Sequence, residues 1–137
     1  MIGRIDVSKL ISPPEPLEFE TAKYFASLGK NVVFILPSHI PNQYSPDIRM
    51  DGVEWEIKCP IGKSKRTLEN NMRKALKQSQ NVIFDLRHLK LSEKSSITQL
   101  EYEFNNRKRI KKLLIFKRMA SCLYIKDELT FGYIVLS

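Results

Sequence analysis

The 137-residue chain is predicted to fold as an α/β domain, a mixed central β-sheet flanked by helices. Three observations predict it. Short apolar runs at residues 31–36, 81–86 and 113–116 alternate with longer stretches of helical periodicity. An Asp51-Gly52 pair sits between two strand-like segments, a strong hairpin signal. The composition, 42% hydrophobic and 28% charged, suits a chain that buries a core without disulfide or metal staples.

Taken in order, residues 1–16 end in Pro13-Pro14-Glu15-Pro16, which cannot lie inside a helix. They are expected to be a lead-in to one domain over residues 1–137, with its core at 17–137. Residues 17–28 have helical character, with Gly29 as a C-cap. A buried strand follows at 31–36, then a polar, proline-bearing loop at 37–46. Residues 47–50 and 53–59 form the hairpin, which Pro60 and Gly62 terminate. Residues 67–80 are predicted helical and 81–86 a buried strand. A helix is expected over about 96–112, a strand at 113–116, and a closing pair of strands at 122–126 and 131–136. Strands alternating with helices in this order imply helices covering a central sheet.

No apolar run approaches the ~18 residues of a membrane span. The opening residues lack the apolar stretch and cleavage site of a signal peptide; a domain carried at the end of a longer exported protein would read the same. The net charge of +8 favours a polyanionic partner, most commonly nucleic acid, although charge alone does not identify one. Cys59 and Cys122 form no C-x-x-C pair, and His39 and His88 stand at no ligand spacing to them, so buried free thiols are expected rather than a zinc site.

The informative segment is residues 46–60, PDIRMDGVEWEIKCP. Side chains on a strand alternate faces. Val53, Trp55, Ile57 and Cys59 therefore fall on a core face, and Glu54, Glu56 and Lys58 on the other. Glu56 and Lys58 point the same way, about 7 Å apart along the strand. Counting outward from the turn sets Met50 against Val53 and Asp47 against Glu56. The product is a carboxylate pair with a lysine beside it, suited to a hard divalent cation such as Mg²⁺ or Mn²⁺ and to phosphodiester chemistry. The competing account is a solvated strand face carrying a salt bridge. On the first helix, Glu18, Ala22 and Phe25 share one face, so Glu18 lies on the inward stripe. There it serves as a metal ligand or a partner of Lys58, or else as a first-turn acid favoured by the helix dipole. On the helix after the hairpin, Thr67, Asn71, Lys74 and Gln78 line one polar face, fit for a phosphate-lined groove or for plain solvent.

Pro46-Asp47 and Glu56-Ile57-Lys58 straddling a hairpin, with Glu18 on a preceding helix, resemble the PD-(D/E)XK, or restriction-endonuclease-like, nuclease superfamily. The string WEIKCPIGKSKRT, then Lys77-Gln78-Ser79 and NVIFDLR, is similar to the C-terminal tRNA-nuclease domains of contact-dependent growth-inhibition and related polymorphic toxins. The likeness covers about residues 17–87. It implies a restriction-endonuclease-like core and metal-dependent cleavage of tRNA. It implies Asp47, Glu56 and Glu18 as metal ligands, Lys58 as a catalytic amine, and Gln78 or Lys74 drawn to the site from the following helix. It further implies an immunity protein covering the active site, and delivery from a secreted or cell-surface protein into the cytoplasm of a target cell.

Lys63, Lys65, Arg66, Thr67 and Lys74 are the expected nucleic-acid contacts around this site. A second basic run, Arg107-Lys108-Arg109 with Lys111-Lys112, is accounted for by the end of the third helix, where cations are favoured. Tyr44, Trp55 and Tyr102 are chemically able to stack bases, but Trp55 is expected in the core and no aromatic platform is assigned. Two other functions remain open: a DNA endonuclease of repair or restriction type, and a non-catalytic nucleic-acid-binding domain on the same fold.

Overall fold

The computed structural model describes residues 2–118, 123–127 and 130–136. Among the described residues eight strands form one sheet in sequence order. β1 (Ile5–Asp6) runs parallel to β2 (Val32–Phe34), and β3 (Ile48–Met50) is antiparallel to both β2 and β4 (Val53–Lys58). β4, β5 (Asn81–Asp85) and β6 (Lys112–Phe116) are mutually parallel neighbours, and β7 (Leu123–Asp127) and β8 (Thr130–Leu136) close the sheet antiparallel. Parallel neighbours need long crossovers. α1 (Pro16–Ser27), α2 (Lys65–Gln78) and α3 (Glu93–Asn106) supply them.

The helices divide the core between the two faces of the sheet. Ala22 and Phe25 of α1 pack with Val32, Phe34, Ile48, Ile57 and Ile83. Leu68 and Met72 of α2 and Leu100 of α3 pack with Val82, Phe84, Leu113 and Ile115 on the other face. The alternation of Ile83 with Val82 and Phe84 between the two clusters shows β5 buried on both sides, as an interior parallel strand must be.

The hairpin forms as its sequence predicts. Asp51 (φ 53°) and Gly52 (φ 75°) both adopt positive φ, the requirement of a two-residue type I′ turn. The register follows: Met50 against Val53, Arg49 against Glu54, Ile48 against Trp55. One step further out, the Asp47 N–H donates to the Trp55 carbonyl at 3.0 Å.

The lead-in expected at 1–16 contains a strand. β1 is only two residues long and holds its place through backbone contacts, with the Gly3 N–H donating to the Ala26 carbonyl at 2.8 Å and the Val32 N–H to the Arg4 carbonyl at 2.8 Å. Too short to show alternation, it leaves no periodic mark. α2 starts two residues ahead of expectation because Ser64 caps it, its side chain accepting the Arg66 N–H. The third helix ends at Asn106, not near 112. Arg107 is already extended (φ −113°, ψ 120°), and the chain turns down to bury Ile110. The basic run therefore sits on the connection into β6 and on that strand's first residue, Lys112, not on a helical last turn where the dipole would favour it. Cys122 lies outside the described residues.

Gly3 is a position of close approach: a Cβ built there would lie 1.8 Å from the Lys30 carbonyl oxygen. Gly3→Ala is expected to destabilise the protein by about 1–3 kcal/mol, read as a lower urea midpoint with unchanged slope.

Candidate active site

β2 and β4 point the same way, and α1 returns antiparallel to β2, so the first turn of α1 arrives where these strands end. Three sequence-predicted residues meet there. Ile57 donates its N–H to Asp47 Oδ2 at 2.7 Å, which pins the Asp47 carboxylate against β4. Asp47 and Glu56 are joined by a side-chain hydrogen bond. Lys58 Nζ lies 3.3 Å from Glu56 Oε2. A solvated, salt-bridged face describes Glu54, which pairs with Arg49 at 3.0 Å, but not Glu56, which is 6% exposed: it lies in register with Val82, a residue of the cluster beneath α2.

Burial sets the electrostatics. Removal from water, with the Asp47 charge beside it, pushes the Glu56 carboxyl up to about 9. Burial also raises Asp47, opposed by the Ile57 N–H and by the hydrogen bond from Glu56. Two such carboxylates cannot both ionise cheaply, and the pair retains a proton between them. Glu18 belongs to the same electrostatic group. Burial, reinforced by the charges of Asp47 and Glu15 and opposed by Lys58, pushes it up to about 8. A cleft of about 440 Å³ opens alongside, lined among others by Glu15, Glu18, His39 and Asp47.

The helix after the hairpin contributes less than expected. Asn71 turns its amide back to the Thr67 carbonyl at 2.7 Å, and Lys74 is exposed. Gln78 is the last residue of α2. The next residue, Ser79, donates to the Glu54 carbonyl at 3.2 Å, near the start of β4 rather than at its Lys58 end. Among the described residues no hydrogen bond joins Thr67, Lys74 or Gln78 to the carboxylates. Lys63, Lys65 and Arg66 are exposed between β4 and the first turn of α2.

Residues 43–121, more than half of the chain, match the family described as the contact-dependent growth inhibition CdiA C-terminal domain. The chain belongs to this family. Its fold is also similar to a chain of the CdiA-CT/CdiI toxin and immunity complex from Burkholderia pseudomallei, with a TM-score of 0.61 at 15% identity, covering 91% of this chain and 99% of that one. No curated protein matches the sequence. Among the described residues no helix is long and apolar enough to cross a membrane.

This CdiA C-terminal domain places a second buried polar group beside the first, and the sequence did not reveal it. Asp85, wholly buried, accepts from the Thr21 hydroxyl at 2.6 Å. Its carboxylate also receives Nε (3.0 Å) and Nη2 (2.8 Å) of Arg87, whose guanidinium lies 4.1 Å from the Phe116 ring centroid. Thr21 Oγ1 is 3.4 Å from Cys59 Sγ, one residue beyond Lys58. Because Thr21 is one turn along α1 from Glu18, this cluster ties the helix carrying Glu18 to the strands carrying Lys58 and Asp85. Only the string NVIFDLR hinted at it. Nothing local in sequence joins Thr21 to a residue 64 positions away.

The raised carboxyls make a sign-definite prediction. A carboxyl that ionises at 4.5 when exposed but at about 9 when folded favours the folded state below pH 4.5. That advantage declines as pH rises and is spent by about pH 9. Glu56→Gln keeps a donor for Asp47 and has nothing to ionise. In metal-free buffer at pH 8 it is expected to melt at least about 4 °C above the parent, the difference vanishing near pH 4, as followed by thermal circular dichroism.

Proposed function

We propose that this CdiA C-terminal domain is a metal-dependent nuclease toxin of PD-(D/E)XK type, with tRNA as its substrate. The observation that carries the proposal is the buried Asp47–Glu56 pair with the Lys58 ammonium at 3.3 Å from it. Two adjoining carboxylates forced to retain a proton are short of positive charge, and a divalent cation relieves that shortage while displacing the proton. Among the described residues no cluster of three or more His, Cys, Asp or Glu side chains forms a ready-made metal cage. Mg²⁺ does not need one, because it is commonly held by one or two carboxylates and keeps several waters.

In this reading Asp47 and Glu56 hold Mg²⁺ or Mn²⁺. The bound ion supplies polarisation of the phosphodiester and a more acidic water. The Ile57 N–H fixes one oxygen of Asp47 and so orients its carboxylate. Lys58 offers N–H donors to the attacking water or to charge growing on the phosphate. Glu18 adds a third carboxyl at the mouth of the cleft, where it would act through a metal-bound water or as a proton acceptor rather than complete a three-carboxylate cage. Lys63, Lys65 and Arg66 draw the polyanion toward this edge. Gln78 and Lys74 are left as outer contacts, in keeping with the lack of a hydrogen bond to the pair. Since the similar Burkholderia pseudomallei structure is a toxin and immunity complex, we extend the proposal to a cognate immunity protein that covers these carboxylates. The same reading places the domain at the end of a cell-surface protein that delivers it to the cytoplasm of a target cell.

Purified protein is expected to cleave tRNA with Mg²⁺ or Mn²⁺ and not with EDTA. Asp47→Ala, Glu56→Ala and Lys58→Ala should each lower the rate by about 100-fold or more without loss of fold, and Glu18→Ala by less. Duplex DNA cut as fast as tRNA would make the enzyme a DNA endonuclease. Cleavage of neither substrate with any divalent ion would leave a non-catalytic binding domain.

A further inference from the structure

α2 begins just past the end of β4 and α3 shortly after the end of β5, on the edge of the sheet that holds the carboxylates. Between these helices lies a second cleft, of about 500 Å³, lined by Lys65, Lys94, Ser95, Thr98, Gln99 and Tyr102 among others. On α3, Lys94, Thr98 and Tyr102 follow one another at four-residue spacing and so share one face, turned away from the buried Ser96, Leu100 and Glu103. Lys65 faces them from α2.

Three features of this cleft set it apart from an ordinary solvated surface. Lys65 and Lys94 are both exposed, and among the described residues neither forms an ion pair and no carboxylate lines the cleft. Tyr102 is 59% exposed, a flat ring held open at the rim, with no aromatic partner among the described residues. The wall between them carries Ser95 and Gln99, able to donate and accept, and Thr98, whose hydroxyl donates back to the Lys94 carbonyl at 3.0 Å and is left to accept. Two ammonium groups for phosphates, an open ring for a base face and a polar wall for base edges are the parts of a single-strand site.

We propose that the α2–α3 cleft binds a single-stranded segment of the RNA substrate, with phosphates on Lys65 and Lys94 and an unstacked base on Tyr102. The segment runs along the sheet edge toward Asp47 and Glu56. This rests on the nuclease reading and deepens it, giving the enzyme a preference for RNA with an unpaired stretch next to the scissile bond. An acidic protein partner would satisfy the two lysines and could also pack on the ring; the continuation of the positive charge through exposed Lys63 and Arg66 toward the carboxylates favours the polyanion.

The full chain carrying Asp47→Ala binds without turnover and serves as parent. Fluorescence anisotropy with labelled tRNA and with a labelled oligouridylate, between 50 and 200 mM salt, measures affinity and salt slope. Lys65→Ala with Lys94→Ala is expected to flatten the slope by about 1.4, at about 0.7 per single-strand phosphate. Tyr102→Ala is expected to weaken binding about fivefold or more at unchanged slope, and Tyr102→Phe to restore it. With Asp47 intact, Tyr102→Ala should raise KM for tRNA and leave kcat alone. Parent-like RNA affinity in both the lysine and Tyr102→Ala proteins, with folded spectra, overturns the cleft assignment and leaves the nuclease reading standing. Loss of binding only to a cognate immunity protein overturns it in favour of a protein interface. A parent that binds no RNA overturns both.

Discussion

The register of one hairpin sets the carboxylate pair and the core packing together. Asp51 and Gly52 each take a positive φ, the turn joins β3 to β4 through two residues, and every pairing outward from it is then fixed. A slip of one residue would send each side chain to the opposite face of the sheet. Asp47 would part from Glu56, and Ile48 and Met50 would leave the core. Apolar burial on one side and the carboxylate pair on the other are thus enforced together. That coupling explains how a pair whose charges repel persists in the fold: the hydrophobic residues that share its strands hold it in place.

The neighbouring Asp85 cluster meets a different demand. A wholly buried carboxylate is tolerable only when paired and fully hydrogen-bonded, and Arg87 and Thr21 provide that. That acid has a guanidinium to itself, whereas the Asp47–Glu56 pair shares the single Lys58 ammonium. This contrast separates the structural carboxylate from those available to a ligand more clearly than burial alone. It also accounts for how Glu18, on a helix that lies before the matched residues 43–121, is held near strands that lie within them.

The hairpin, the two faces of β4 and the inward placing of Glu18 were legible in the sequence because each depends on short-range periodicity or on a turn with a steric signature. The burial of Glu56 was not, since alternation assigns a face without saying what covers it, and here α2 does. β1 escaped notice because two residues have no period. The end of the third helix was misjudged because residues 107–112 are compatible with a helix, while the burial of Ile110, a tertiary effect, breaks it. Gln78 was drawn toward the carboxylate pair by resemblance, whereas the capping of α2 by Ser64 and the bond of Ser79 to Glu54 set the end of that helix nearer the start of β4.

Cys59 follows directly after Lys58, half-buried, with its sulfur against Thr21. Burial pushes its thiol up to about 12, so at neutral pH it is almost entirely protonated and a poor nucleophile. Oxidants and alkylating agents attack the thiolate. A reactive sulfur at this point would put any disulfide or sulfenic acid formed there against Thr21 and the packing of α1. Held protonated, this sulfur is slow to react while the chain is folded.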